Sequence, residues 1–275
     1  VVPYTRGTEV SRPLDDVLTE VALLAEQGVR EINLLGQNVN SYLGKTGSET
    51  CDLAQLLRYL SEIPGIDRLR YTTSHPTHFN EALIEAFAEL PKLASYLHLP
   101  VQAGSDRILA MMKRGYGRDA FLEKIRRVRQ ARPGLSISTD IIVGFPSETD
   151  EDFALTMDLV READFDQAYS FIYSPRPGTP AANLKDNVPQ AVKDERLQLL
   201  QQHIRGRDQA FMRGLYDTVQ EVLVERPSRK NPEHMAGRTS SNRWVNFAAP
   251  ASLIGQFVQV HINDVQPNSL RGVRV

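Results

Sequence analysis

The sequence predicts an α/β fold: a partial (β/α) barrel or a doubly wound sheet, followed by a small OB-like all-β barrel. Three observations carry this. Five short apolar runs alternate with amphipathic helical segments, a pattern that implies a parallel sheet joined by right-handed crossovers. The polar clusters GQN, TSHP, PVQAGSD, GFPSE and SPRPGT all fall where a strand ends, which is the rim that hosts active sites in barrels and so favours the partial barrel. After residue 211 the texture changes to short β-rich runs punctuated by Gly237, Gly255 and Pro267-Asn268, as in a small closed β-barrel. The domains are placed at 1–211 and 212–275.

Taken in order, Ser11-Arg12-Pro13 opens a helix with Asp15 and Asp16 in its first turn, Val17, Leu18, Val21, Leu24 and Ala25 on one face, and Gly28 as its stop. A strand follows at Glu31 to Leu35, then a helix from Leu53 to Leu60 and a strand from Leu69 to Thr73. Next come a helix from Glu81 to Leu90 and a strand from Tyr96 to Leu99. Two helical pieces separated near Gly115 to Gly117 carry Ile108, Leu109 and Met112, then Phe121, Ile125 and Val128. A helix from about Val192 to Phe211 closes the region, and β runs follow at Thr218 to Val224, Trp244 to Phe247, Gln256 to Ile262 and Leu270 to Val275. Because this order begins with a helix, residues 1 to about 12 are expected to be the loop after a strand outside the chain.

The stretch from Ile137 to Phe153, ISTDIIVGFPSETDEDF, organises the first region. Ile137, Ile141, Ile142 and Val143 read as a buried strand, Gly144-Phe145-Pro146 as a turn, and Thr149 with Asp152 as a capping box. Backbone N–H groups at a helix start beside Glu148 suit a polar nucleoside or phosphate-bearing ligand, although one such βα loop alone is ordinary. The next helix carries Phe153, Met157 and Val160, and a strand from Ala168 to Tyr173 ends in SPRPGT.

Composition narrows the function. Hydrophobic residues make up 41% of 275 positions, ample for a folded core. No run of about 18 apolar residues occurs and VVPYTRGTEVSRP has no apolar signal region, so no membrane is expected and the cytoplasm is the expected compartment. The single cysteine, Cys51, excludes an internal disulfide and any cysteine-rich metal site built from this chain alone. A net charge of −2 argues against nucleic-acid binding over the whole surface. The charge is uneven, however: residues 212–275 hold eight Lys or Arg against five acids, a balance of +3 that leaves −5 for the rest. That asymmetry points to a tail module meeting a polyanion. No nucleophile–base pair stands out, which leaves little for a conventional acid–base barrel enzyme.

As a set, VVPYTRG, SRP, LLGQNVNSY, TTSHP, HLPVQAGSD, STDIIVGFPSET and YSPRPGTPAA resemble the methylthiotransferase branch of the radical S-adenosylmethionine (SAM) enzymes, in the family's order and over the whole chain. AGRTSSNRWVNF and INDVQPNSLRG resemble the TRAM domain that this family uses for RNA binding. The resemblance implies a partial radical SAM barrel lacking its first strand, then a TRAM barrel. It implies radical addition of a methylthio group to carbon 2 of an isopentenyl-adenosine next to the anticodon, since GQNVNSY and TTSHP are most similar to the tRNA-modifying members. A ribosomal-protein methylthiotransferase, or a cofactor-free RNA-binding fragment, are the alternatives. The resemblance implies that the family's Cys-x3-Cys-x2-Cys, which binds one 4Fe-4S cluster, stands immediately before VVPYTRG and that an N-terminal domain holds a second cluster, so the ligands of both are expected to be absent from this chain, which alone is expected to be inactive. Cys51 cannot replace them. The implied partners are tRNA, a reductant and a sulfur donor, the last two unidentified.

The resemblance also assigns rim positions to SAM. Gln37 and Asn38 stand where relatives hold the SAM amino group, and an amide carbonyl can accept from an ammonium; both are equally turn residues. Gln102, Ser105 and Asp106 face the ribose or carboxylate, of which Gln102 and Ser105 are retained; Ser105 is also a plain N-cap. Ile142, Val143 and Gly144 match the adenine-contacting strand, and Arg176 suits a carboxylate or phosphate. Glu148 is expected to bond the loop rather than act in catalysis, and His75 and His98 to be packed or hydrogen-bonded. Lys124, Arg126, Arg127, Arg129 and Arg132 read as a solvated helix face. Arg229, Lys230, Arg238 and Arg243, near Trp244 and Phe247, are the RNA candidates, because cations interleaved with aromatics hold phosphates and stack on bases; the alternative reading of Trp244 is a filler of the small barrel. No residue is assigned as catalytic or as a metal ligand.

Overall fold

The computed structural model describes residues 7, 9–47, 49–72, 74–229, 231 and 233–275. Of the stretch expected to be an N-terminal loop, residues 1–6 and 8 lie outside the described residues, as does the candidate Lys230. The chain forms an open half-barrel of parallel strands with helices on its outside, followed by a closed five-stranded barrel.

The first region runs α1 (Leu14–Glu26), β1 (Glu31–Leu34), a hairpin of β2 (Leu43–Thr46) and β3 (Glu49–Asp52), α2 (Leu53–Glu62), β4 (Arg68–Tyr71), α3 (Glu81–Glu89) and β5 (Tyr96–His98). It continues with α4 (Asp106–Met111), α5 (Arg118–Ala131), β6 (Ser136–Val143), α6 (Asp150–Ala163), β7 (Gln167–Ile172) and the long α7 (Gln190–Gly214). Each βα junction has a chemical cause. Asp52, Asn80 and Ser105 accept from Gln55 N, Leu83 N and Ile108 N to start α2, α3 and α4. Thr149 and Asp152 form the reciprocal capping box that the sequence predicts for α6.

β1 pairs in parallel with β4, and Leu69 on β4 exchanges backbone bonds of 2.8 Å with Lys92 and Ala94 just before β5. β5 pairs with β6, and β6 with β7, from Ser138 beside Gln167 to Val143 beside Ile172. Alternation along these strands turns Ile32, Leu69, Leu97, Ile137, Ile141 and Val143 outward into the core beneath Leu57, Phe87, Phe121 and Val160. Fully burying each such side chain contributes about 1.5–3 kcal/mol. The opposite face, lining the lumen, is polar: Glu31, Arg68, Arg70, Tyr96, His98, Ser138 and Asp140.

The second barrel has β8 (Val219–Pro227), β9 (His234–Thr239), β10 (Trp244–Ala248), β11 (Phe257–Gln266) and β12 (Ser269–Arg274), closed in the order β10-β12-β11-β8-β9. Val222, Val224, Val245, Phe247, Val260, Ile262 and Leu270 fill it, with Met212 from the last turn of α7. Phe247 therefore belongs to this core and is no base-stacking surface. β9 departs from expectation. Gly237 is strand, not punctuation: a Cβ there would lie 2.1 Å from Leu223 O, so only glycine lets β8 and β9 approach. The basic run on α5 also differs from a simple solvated face. Lys124, Arg129 and Arg132 donate to the carbonyls of Phe79, of Leu135 with Asp164, and of Leu90 with Leu93, while Arg126 and Arg127 pair with Glu123 and Glu81.

The small barrel docks against the N-terminal ends of the parallel strands. Arg68, 2% exposed, donates to Glu31 at 3.2 Å, to Glu221 Oε1 at 3.1 Å and to Arg238 O at 3.1 Å, and lies 4.5 Å above the Phe257 ring. Arg70 reaches Glu31, Thr239 O and Ser240 O at 3.3, 3.3 and 3.4 Å. Burial pushes the Arg70 pKa down, opposed by Glu31. Ser240 Oγ accepts from Ser95 N at 2.8 Å.

Two outcomes follow from this packing. Arg70→Met strips two carbonyls of the small barrel and Glu31 of their donor, a loss on the order of 3 kcal/mol; calorimetry should resolve separate melting of the two barrels, and one unshifted transition would contradict the docking. Asp152 is pushed up by burial, yet hydrogen bonds from Arg107, Ser105 and Thr149 outweigh this and hold it well below the usual carboxylate range. Asp152→Ala should cost about 2–3 kcal/mol at pH 7. A lowered folded pKa means that this contribution is present above the unfolded value, about 3.9, and fades as pH falls through the folded one. Urea melts of both proteins should converge below about pH 4, and a gap that widens there would refute the assignment.

Candidate functional site

The polar clusters meet at the C-terminal ends of the parallel strands, where the loops tie to one another. Asn40, in a 3-10 turn after β1, accepts from His75 N at 2.8 Å and donates to His75 O at 2.9 Å, fixing the loop after β4. Asn38 Nδ2 lies 2.7 Å from His78 Nδ1, and its Oδ1 is buried without a hydrogen-bond partner among the described residues. His75 meets the Tyr116 ring edge-on at 5.7 Å, and Tyr116 donates to Val101 O at 2.9 Å. Burial, then Arg114 and His78, push the His75 pKa down.

Gln102 is held by both backbone groups: its N–H donates to Asp140 O at 2.8 Å and its carbonyl accepts from Ile142 N at 2.9 Å. It sits at φ 75, a conformation costly for a non-glycine residue. Such strain is often found at binding sites. Gln102, Asp140, Ile142, Phe171 and Arg176 line a cavity of about 570 Å³ at these strand ends. Gln37 and Asn38 line a different cavity of about 490 Å³, against α1 and β1. The candidates thus divide between two neighbouring spaces. Arg176 is exposed and its guanidinium makes no ion pair among the described residues.

Three rim expectations need correction. Ser105 is buried and donates to Asp152 Oδ1 at 2.5 Å while capping α4, so its hydroxyl is turned into the protein. Val143 is fully buried in the core. Gly144, at φ 68, makes room for Lys193 rather than for a ligand: an added Cβ would fall 2.4 Å from Lys193 Cγ. Glu148 is structural, as expected. It accepts from Gly144 N at 2.9 Å and from Arg196 at 2.7 Å, and burial pushes its carboxyl up against both.

Reading the sequence for motifs missed Lys113 and Arg114, which line the larger cavity with Arg176. Arg114 Nε is buried without a partner among the described residues. The basic pair directly before Gly115-Tyr116-Gly117 is the signal that could have found them. Three cations facing Asp140 across one cavity suit a ligand carrying both an anionic and an N–H-bearing group.

In the tail, Arg229 is exposed and makes no ion pair among the described residues. Arg238 is committed within the protein: it lies 4.5 Å from the Trp244 ring, donates to Asn242 and approaches Glu225 at 3.7 Å. Arg226 covers Trp244 at 4.6 Å, so this ring sits on the barrel wall between two guanidinium groups and does not fill the interior. Arg243 is not an RNA contact in this arrangement. It is 4% exposed, paired with Asp208 of α7 and stacked on Phe211.

The donor sets treat the two expected cofactors differently. The Gln102 amide and the cationic cavity that it lines with Arg114 and Arg176 fit SAM. An iron-sulfur cluster finds no ligand set: Cys51 is the one cysteine, buried in β3, with burial and then Asp52 pushing its thiol up, and no cluster of three metal-ligating side chains occurs among the described residues. No helix among the described residues is long and apolar enough to cross a membrane.

Comparison with known proteins gives the lineage. Residues 2–160 match the Radical SAM superfamily, and residues 217–275 match the TRAM domain. Proteins named tRNA-2-methylthio-N(6)-dimethylallyladenosine synthase are similar over nearly the whole chain. That of Bordetella petrii is 60% identical over 98% of this chain and 57% of its own length, and that of Ralstonia pickettii is 60% identical over 99% and 62%. That of Nitrosomonas europaea is 58% identical over 99% and 62%. The chain thus spans between 57 and 62% of the length of these curated relatives. Among solved structures, coproporphyrinogen III oxidase (HemN) from Escherichia coli aligns over 94% of this chain and 63% of its own, with a TM-score of 0.49 and 14% identity. With more than half of its length matched by that family, the chain belongs to the radical SAM superfamily and carries a TRAM domain after its half-barrel.

Proposed function

We propose that this chain is the SAM-binding half-barrel and the RNA-gripping barrel of a tRNA methylthiotransferase that modifies carbon 2 of isopentenyl-adenosine beside the anticodon. The observation that carries the reading is the rim cavity, in which Gln102, Ile142, Arg114 and Arg176 converge at the ends of parallel strands. Relatives about 60% identical bear the name of that activity, which supports the tRNA branch over the ribosomal-protein branch. Residues 1–211 would act on cofactor and base, residues 212–275 on the nucleic acid, in the cytoplasm.

SAM supplies, when bound and reduced, the radical needed to remove hydrogen from an unactivated ring carbon. The chain's own residues bind and orient. Arg176 with Arg114 takes a carboxylate, and Ile142 packs an apolar wall beside the Gln102 amide, while Gln37 and Asn38 line the separate cavity against α1 and are not assigned to the same end of the ligand. The fixed loops, tied by Asn40 and Tyr116, keep these groups in place and limit the entry of water. The 4Fe-4S clusters, two in the complete enzyme, require ligands other than those found here.

In the tail, Arg229 is the cation best placed to meet phosphate, because Arg238 and Arg243 are held by protein partners. tRNA binding measured across a salt series should weaken steeply with salt, and Arg229→Ala should flatten the slope by about one unit. An unchanged slope would remove Arg229 from the interface. Binding to a ribosomal protein with none to tRNA would overturn the tRNA assignment.

A further inference from the structure

The lumen face of β5, β6 and β7 carries polar and aromatic groups that the core does not use, and its outer end borders the rim cavity. In these parallel strands His98 stands beside Ser138, Asp140 beside Tyr169, and Ile142 beside Phe171. All six point away from the face that carries Ile137, Ile141 and Val143 into the core. His98 is fixed in place: Nδ1 lies 2.8 Å from Ser138 Oγ, which is itself 2.7 Å from Tyr96 OH. His98 Nε2 lies 3.5 Å from Asp140 Oδ1. Asp140 Oδ2 accepts no hydrogen bond from a described residue, and Asp140 borders the rim cavity.

Beside this carboxylate stand two rings without a packing partner of comparable size. Tyr169 and Phe171 are 56% and 54% exposed, although they lie on an inner sheet face, and Tyr169 meets only the imidazole edge at 5.9 Å. Being two residues apart, they stand roughly 6.6 Å from one another along the strand. Flat apolar rings beside an oriented carboxylate acceptor match one kind of ligand: a planar base to stack, with an exocyclic N–H to donate. A phosphate would be repelled by Asp140.

We propose that this face is the acceptor-base subsite, with Tyr169 and Phe171 stacking on an adenine and Asp140 accepting its N6–H. His98 is a positioning residue that orients the Asp140 carboxylate. The proposal rests on the reading of this chain as part of an RNA-modifying enzyme and deepens it. An amine-bearing purine has two sources, the adenosine of SAM and the adenosine of the RNA, and the assignment is to the second.

The test is binding of free N6-isopentenyladenosine to the full chain with SAM at saturation, read by ligand-observed NMR. The control ligand is N6-methyl-N6-isopentenyladenosine, which keeps base and tail but has no N–H. The chain should prefer the first about tenfold. Asp140→Asn should erase the preference, Tyr169→Leu should weaken both ligands about tenfold, and Tyr169→Phe should restore binding; circular-dichroism melting confirms that each variant is folded. No preference in the parent chain, variants that bind like it, or displacement of the nucleoside by SAM would each overturn the proposal. tRNA binding with no nucleoside preference strikes at this subsite, whereas preference without tRNA binding strikes at the RNA reading.

Discussion

Two arginines on one short strand set the terms for the whole molecule. Arg68 and Arg70 face the lumen from β4, both 2% exposed, and Glu31 is the one half-barrel carboxylate bonded to them. A guanidinium has five donors and stays charged, so one carboxylate cannot satisfy two of them. The remaining bonds come from the second barrel, through Glu221 and the carbonyls of Arg238, Thr239 and Ser240. A half-barrel with this lumen is therefore incomplete without its neighbour. The tail closes the strand starts and leaves the strand ends to ligands.

Helix α7 extends the same dependence to the rim. Near its start Lys193 packs under Gly144 and Arg196 ties Glu148 to Asp150; near its end Asp208 holds Arg243 and Met212 enters the core of the small barrel. The turn after β6 and the wall of the small barrel thus hang on one rod of 25 residues. Charged residues serve this rod at both ends. That explains why Gly144 and Arg243, read from the sequence as ligand contacts, turned out to be joints.

The alternation of strands and helices was legible because most outward strand positions are apolar and four helix starts carry a side-chain cap, Asp52, Asn80, Ser105 and Thr149. The open and closed sheets were also legible, since strands of the first region are separated by helices and those of the second by turns. What was hidden is hidden for physical reasons. β2 and β3, LGKT and ETCD, have no apolar run, and HMAGRT looks like a turn because its glycine is needed by a neighbouring strand. At the site, motif position placed Gln102, Asn38 and Arg176 on the rim but could not tell which side of the backbone each group faces. Ser105 and Val143 occupy motif positions and are buried within the protein, Ser105 on Asp152 and Val143 in the core outside the strands. Arg114, Asp140 and Tyr169 belong to no polar cluster, and only strand register brings the last two together.

The docking of one barrel on the strand starts of the other makes the molecule a ruler. β6 has eight residues, which at about 3.3 Å each separates the docked end from the rim by on the order of 26 Å. Under the proposed function, an RNA held at both ends would have to bridge that span, roughly the rise of seven or eight stacked base steps at 3.4 Å per step. A mononucleotide would be too short. A folded stem of suitable length would be registered end to end, so that its size, and not only its sequence, would decide which base comes to lie over the lumen.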